Sequence, residues 1–388
     1  MSGPVKFAVP FDHHRSTPIS AIASFTSAMQ ASGVDFLWLY DEFSWWFPGK
    51  LWSKENTPFA EIIDGHSTHD PFVHAAFALS ANPTASVRLT TDAVRASPVE
   101  LLRKMLTLAH GTEGDVICAI GAGEQRHAKP FGYKRSEGLK RLEDVFVLLN
   151  KLWDADEPVS YEGNFWNYQN AFIGTTRPAK RPEFWALGGG PKLLEIAAKY
   201  ADGFEAATPQ AIANVAKFAA QVTSLRQQVE SHGRDPEAFG FGIWNICICH
   251  DDPDVIEQVL QNPIAKYYAA QFGRLNGADW AEEGIQPVMP KSWHYALHWL
   301  PFEQTDAELD AITSSVSTDM VRKSFNVGSP QEIAAINSQF IDAGARFVGH
   351  LDMTPLIVGP SDAEDSIRRA LEVNKAVKAH AGTKAQSS

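Results

Sequence analysis

Eight strand-like segments recur along the chain, each bounded by a helical pattern, and this alternation constrains the fold more than any other feature. They are VKFAVP (5–10), VDFLWLY (34–40), VRLTTDAV (87–94), DVICAIGAG (115–123), EFWALGG (183–189), GFEAAT (203–208), FGIWNICICH (241–250) and RFVGHLDM (346–353). Strands alternating with helices build βα units on a parallel sheet, and eight strands close such a sheet into a barrel. Between them, PVELLRKMLTLAH (98–110), RSEGLKRLEDVFVLLNKLW (135–153) and PKLLEIAAKYA (191–201) carry apolar residues at three- and four-residue spacings. Ser329 and Pro330 open a further helix as N-cap and first residue, and Gly344 closes it. The pattern implies an α/β chain, a single (β/α)8 TIM barrel domain over residues 1–388.

Two stretches break the rhythm. Residues 154–182 contain YEGNFWNYQNAF, whose alternating aromatics predict a small hairpin. Residues 261–327, with Trp280, Trp293 and Trp299, are too long for a simple connection and predict a mixed helical insertion. Both are expected to lie over a barrel end as lids. The final AGTKAQSS reads as a small, frayed polar tail.

The formal net charge of −12 argues against general binding to nucleic acid or an anionic membrane and leaves small molecules as the expected partners. Cys118, Cys247 and Cys249 are too few and too unevenly placed for a disulfide framework, which fits a reducing cytoplasm. No apolar run reaches the roughly 18 residues that a bilayer span requires.

In barrels of this kind chemistry gathers at the carboxyl ends of the strands. Those ends hold Asp12, His13 and His14; Asp41 and Glu42; Thr91 and Asp92; Gly121, Gly123 and Glu124; Gly188, Gly189 and Gly190; Thr208; His250; and Asp352. Polar residues at a strand end also simply meet solvent, so the set carries more weight than any member. In LGGGPKLLEIA, three glycines let backbone amides approach a ligand, and Pro191 opens a helix whose N-terminus favours an anion such as phosphate. A tight turn without a ligand would use the same residues. His66, His69, Asp70 and His74 lack a recognised metal spacing and read as a loop of solvated imidazoles, so no metal site is expected. Cys247 and Cys249 alternate in a strand and read as core. With no Gly-x-Ser-x-Gly and no His-Glu-x-x-His, hydrolase chemistry lacks a nucleophile or a metal.

The segment LYDEFSWWF sets Asp41 and Glu42 against Phe43, Trp45, Trp46 and Phe47. Carboxylates in apolar surroundings lose hydration and are costly unless paired, protonated or used.

Several blocks give the chain a resemblance to a known family: GVDFLWLYDEFSWW (33–46), IGAGE (120–124) followed by KPFGY, LEDVFVLLNKLWDADEPVSYEGNFW (142–166), ALGGGPKLLEIAAKYADGF (186–204) and GSPQEIAAINSQFIDAGARFVGHLD (328–352). They resemble the luciferase-like monooxygenase superfamily and, within it, the branch that uses the deazaflavin coenzyme F420. That resemblance implies a (β/α)8 barrel, commonly dimeric, with the cofactor ring near the strand ends and its phosphate-bearing tail at Gly188, Gly189 and Gly190. It implies a non-proline cis peptide at Asp92-Ala93 behind the ring, with Thr91, Gly121, Gly123, His127 and Thr208 lining the cofactor site. The dehydrogenases of the branch carry Asp-His-Phe after strand two, the histidine exchanging the substrate proton, and then a tryptophan. Here the triplet is Asp41-Glu42-Phe43, with Trp46 at the tryptophan position, so the expected imidazole is a carboxyl group. Glu124 keeps the family's acid after strand four.

The resemblance implies hydride transfer between F420 and a carbonyl or alcohol carbon, with Glu42 or Glu124 exchanging the proton. A glutamate buried against Trp45 and Trp46 is expected to have its pKa raised toward neutrality. The plainer alternative is a salt bridge from Glu42 to Lys50 or Arg95. Asp41 is expected to orient the cofactor or a backbone amide, and Trp46 to pack on substrate or in the core. FMN in place of F420, giving a monooxygenase, and a cofactor-binding protein without turnover are the other readings. The aromatic insertions suggest a bulky or apolar substrate.

Overall fold

The computed structural model describes residues 4–10, 18–44, 46–66 and 68–387, the last four as backbone only. Asp12, His13, His14 and Trp45 therefore lie outside the described residues. All eight expected strands are present: β1 Lys6–Pro10, β2 Phe36–Tyr40, β3 Ser86–Asp92, β4 Val116–Gly121, β5 Glu183–Leu187, β6 Gly203–Thr208, β7 Gly240–Cys249 and β8 Phe347–Asp352. Each pairs in parallel with the next, and β8 returns to β1 with Phe7 opposite Val348, so the sheet closes. A short strand, Asn326–Gly328, adds to the upper end of β7 opposite Cys247–Cys249.

Strand residues alternate between two cores. Phe7, Leu37, Leu89, Cys118, Phe204 and Val348 point outward to the helices, which explains why these strands read as nearly continuous apolar runs. Ala8, Phe36, Trp38, Ile117, Trp185, Trp244 and Phe347 fill the barrel. Glycines make room for the indoles: a Cβ at Gly203 would lie 2.6 Å from the Trp185 ring, and one at Gly349 would collide with Trp244. Gly349→Ala is accordingly expected to lower the unfolding free energy by about 1–3 kcal/mol, measured by denaturant titration. Within the same interior, Arg88 on β3 forms a fully buried ion pair with Glu205 on β6, whose Oε1 also accepts a 2.7 Å hydrogen bond from Trp244 Nε1.

The helices follow their local signals. Pro98–His110 and Pro191–Tyr200 open on proline, and Pro330–Asp342 begins with a capping box between Ser329 and Glu332. Asp70 N-caps Pro71–Ala81 by accepting from Phe72 N and Val73 N, so this stretch is a helix start rather than an open loop. The tail is helical: Pro360–Ser387 is one helix, in place of the expected fray.

The two excursions differ. Val159–Glu162 and Asn167–Ala171 form the expected hairpin, but Asp144 on helix Gly138–Trp153 accepts from Tyr161 Oη, Asn164 Nδ2 and Phe165 N. That anchorage fixes the hairpin to the outer helical layer. The stretch between β7 and Asn326 folds as a helical unit, including Pro263–Phe272, Tyr295–His298 and Asp306–Ser315, around its own core with Ile246 and Ile248 of β7. Lys50–Asp310 (2.7 Å) and Lys129–Glu303 (2.8 Å) tie it to the loops after β2 and β4. Among the described residues no helix is long and apolar enough to cross a membrane.

Candidate active site

The loops after β2, β3 and β4 bring most of the acidic candidates into two linked clusters. In the first, Asp41 Oδ2 accepts from Thr91 Oγ1 at 2.7 Å, and Arg95 binds both the Asp41 carboxylate, at 3.2 Å, and that of Asp92. Asp92 Oδ1 also accepts from Val94 N and Arg95 N at 2.9 and 3.0 Å, turning the chain at the strand end. The Asp92-Ala93 bond is trans, which corrects the expected cis peptide. Among the described residues only Thr208-Pro209 is cis.

The second cluster centres on Arg126, in the one-turn helix Gln125–Ala128 after β4. Its guanidinium meets Glu42 Oε2, donates to Glu124 Oε2 at 2.7 Å and to Ser44 O at 2.7 Å, and lies 5.1 Å from the Trp299 ring. His127 Nε2 stands 3.2 Å from Glu42 Oε2. The Glu42 side chain is 8% exposed and that of Glu124 26%. Burial by itself would raise the Glu42 carboxyl, but Arg126 and then His127 hold it down at about 2. The expected raised pKa is thus corrected: the aromatics bring the Arg126 guanidinium and the His127 imidazole with them. A salt bridge does form, but not with the expected bases, since Lys50 pairs with Asp310 and Arg95 with Asp41 and Asp92.

A depressed carboxyl contributes stability that is fully present above its ordinary value of 4.5 and is lost as pH falls toward about 2. Wild type should therefore lose about 3 kcal/mol more than Glu42→Gln across that interval, a difference read from urea titrations at each pH. Equal acid slopes in the two proteins would contradict the ion pair.

Trp46 leans into the helical unit, with ring centroids 6.1 Å from Tyr268 and 5.5 Å from Phe272. On the solvent side, Phe43, Phe131 and Tyr133 line an open groove of about 410 Å3. Gly123 is left-handed (φ 88°), and a Cβ there would lie 2.7 Å from Val94 Cγ2. A Cβ on Gly121 would meet Leu187 O at 3.6 Å, which places the tops of β4 and β5 side by side. Gly190 N-caps helix Pro191–Tyr200 with no side-chain bond, and the space beside Gly189 and Gly190 is open to 4 Å. Gly188 shares that turn with φ 133°. Thr208 is buried at the end of β6 with its hydroxyl unpartnered.

Two arginines went unrecognised in the sequence. Arg126 lies two residues after the GAGE block and could have been found as a cation beside a required acid. Arg135 gives no such signal. It makes no ion pair with any described carboxylate, its buried Nε has no partner, and burial lowers its pKa, with Tyr295, Asp92 and Glu124 the nearby ionisable groups. Asp352, at the end of β8, is drawn into a separate network through Cys249 N and Thr354. Among the described residues no group of three or more His, Cys, Asp or Glu is placed to hold a metal.

The sequence profile of luciferase-like monooxygenases matches residues 5–346. The chain belongs to the luciferase-like monooxygenase family. A phthiodiolone/phenolphthiodiolone dimycocerosates ketoreductase of Mycobacterium kansasii is 23% identical over 351 residues, 89% of this chain and 92% of its own. A solved F420-dependent secondary alcohol dehydrogenase, in complex with an F420-acetone adduct, superposes with a TM-score of 0.69 at 17% identity, covering 97% of this chain and 99% of that one. A riboflavin lyase with modified FMN and riboflavin reaches 0.68 at 15% identity, covering 96% and 92%. At these identities the structural likenesses establish the luciferase-like barrel and nothing finer.

Proposed function

We propose that this luciferase-like protein is an F420-dependent oxidoreductase acting between a carbonyl and an alcohol on a small, predominantly apolar substrate. The observation that carries the proposal is a set of unsatisfied polar groups on the barrel face that holds the acidic clusters. These are the Thr208 hydroxyl and Arg135 Nε, beside the open helix start at Gly189 and Gly190, which no side chain caps. Groups of this kind fit a cofactor that is anionic and rich in hydrogen-bonding atoms. The ketoreductase and the F420-dependent alcohol dehydrogenase among its relatives support the choice of chemistry.

When bound, the deazaflavin would supply a hydride to a carbonyl carbon or accept one from an alcohol carbon. Gly188, Gly189 and Gly190 would hold the anionic tail, with Arg135 as a counter-charge. Thr91, Gly121, Gly123, His127 and Thr208 would border the ring, with Asp41 and Arg95 fixing the Thr91 hydroxyl. Glu42 and Glu124, both bound to Arg126, would present fixed charge at the reacting end. Trp46 and the helical unit would exclude water, while Phe43, Phe131 and Tyr133 would receive the apolar part of the substrate.

The test is to mix the purified protein with reduced F420 and a panel of ketones, and with oxidised F420 and the matching alcohols, following deazaflavin fluorescence. Turnover of at least one apolar pair is expected. Binding without exchange across the panel would instead indicate a cofactor-binding protein without turnover. An FMN enzyme is the second reading, because the riboflavin lyase superposes almost as well as the alcohol dehydrogenase.

A further inference from the structure

Residues 16–34 and 71–87 are the two longest stretches of the chain without Asp, Glu, Lys or Arg. Absence of charge over such a length ordinarily marks a buried element. Here it does not. The helices inside these stretches, Ile19–Ala31 and Pro71–Ala81, belong to the outer layer, and each leaves one face open. Val73 is 53% exposed, Phe77 46% and Ile19 44%. Every other exposed position of the two helices is serine or alanine, Ser24, Ala28 and Ala76 among them.

The two helices form one surface. Asn82, which ends the second, donates to Ala23 O of the first at 3.1 Å, and Gln30 donates to Thr84 Oγ1 at 2.9 Å. Side by side, each about 10 Å wide and rising 1.5 Å per residue, they present an uncharged area of about 20 by 20 Å. Lys104 Nζ lies 4.7 Å from the Phe72 ring, so helix Pro98–His110 flanks this area, and it carries the exposed Glu100 and Arg103. A centre depleted of charge with a polar rim is the composition of a protein interface.

We propose that this face docks a second copy of the chain, helices Ile19–Ala31 and Pro71–Ala81 of each copy packing on those of the other about a two-fold axis. Charge selects that occupant. Each copy has a formal net charge of −12, so two copies meeting through acidic surface bring like charges together. A two-fold contact sets a patch against itself, and this patch has no charge to repel its own image. A cationic partner would instead be drawn to the acidic surface elsewhere. The serines and alanines let the helix backbones approach closely, while Ile19, Val73 and Phe77 supply apolar area that water otherwise covers. With the flanking helix the projected area is about 600 Å2, and the accessible area of a corrugated face is larger, near the roughly 800 Å2 per partner of a standard interface.

The contact also bears on the candidate active site. Thr68, two residues ahead of the Asp70 cap, donates to the Glu42 carbonyl at 2.7 Å. A partner seated on helix Pro71–Ala81 therefore steadies the loop that carries Glu42.

Two measurements on the full chain test the proposal. The first is mass in solution, by sedimentation velocity at micromolar concentration. The wild type should sediment as a dimer. Combining Val73→Glu with Phe77→Glu should weaken self-association at least about 100-fold and give a monomer, because carboxylates then face carboxylates. Both side chains are exposed, so the variant should keep the far-ultraviolet circular dichroism of the wild type. The second measurement leaves the interface intact. Cys118, Cys247 and Cys249 are buried, so Ala76→Cys treated with a short bis-maleimide should give a covalent dimer. Thr223→Cys should not, since helix Val215–Ser231 follows β6 on the opposite side of the barrel. A monomeric wild type would overturn the proposal, as would a dimer that persists in the double variant or one that cross-links through Thr223→Cys and not through Ala76→Cys. Should the double variant fail to fold, the cross-link decides alone.

Discussion

Replacing Arg126 by methionine is expected to lower the unfolding free energy by about 3–5 kcal/mol, the range seen when one partner of a buried ion pair is removed. Methionine keeps much of the volume between Trp46 and Trp299, so the loss would be electrostatic rather than a cavity effect. Glu42 would be left at 8% exposure without its main counter-charge, and only His127 would still face it. Its carboxyl would then move upward as burial prevailed. A second substitution, Glu42→Gln, should recover most of the lost stability in the Arg126→Met background, because the double variant no longer buries an unpaired charge. Chemical denaturation of the two single variants and the double variant gives the coupling directly. Additive losses would mean that the two residues do not share an ion pair.

The interior pair Arg88–Glu205 is expected to give an effect of the same size by the same physics. Both side chains are fully buried, and the Arg88 guanidinium lies 4.1 Å from the Trp244 ring and 5.2 Å from that of Phe347. Glu205→Leu strands the cation and removes the acceptor of Trp244 Nε1, and should cost about 3–5 kcal/mol. Arg88→Met with Glu205→Leu should be more stable than the single variant, since matched apolar replacement of a buried pair is often neutral or better. The remaining deficit would reflect the indole N–H, at about 1–3 kcal/mol for an unsatisfied buried donor. A double variant less stable than Glu205→Leu would show that the pair does more than neutralise itself.

What could be read in advance follows from the range of the interaction involved. The eight strands were legible because a parallel strand covered on both faces needs a continuous apolar run, and the helices because caps such as Ser329 with Glu332 are local. The chemistry of Glu42 was not legible. Its partner Arg126 is 84 residues away, and nothing local distinguishes a carboxyl desolvated by tryptophans from one neutralised by an arginine packed on the same rings. Arg88 offered a clue that went unused, as a charged residue inside the strand VRLTT. Asn326–Gly328 was missed because three residues are too few to show a period. The hairpin was recognised as a hairpin, but its place was set by Asp144, a polar residue in a helix read chiefly for its apolar face.

The most direct test of the central claim is a pair of fluorescence titrations of the purified, cofactor-free protein, one with F420 and one with FMN, followed by addition of an apolar ketone to the complex with reduced F420. The account predicts saturable F420 binding, much weaker FMN binding, and recovery of oxidised deazaflavin fluorescence when the ketone is added. Tight FMN binding with no F420 binding would contradict it.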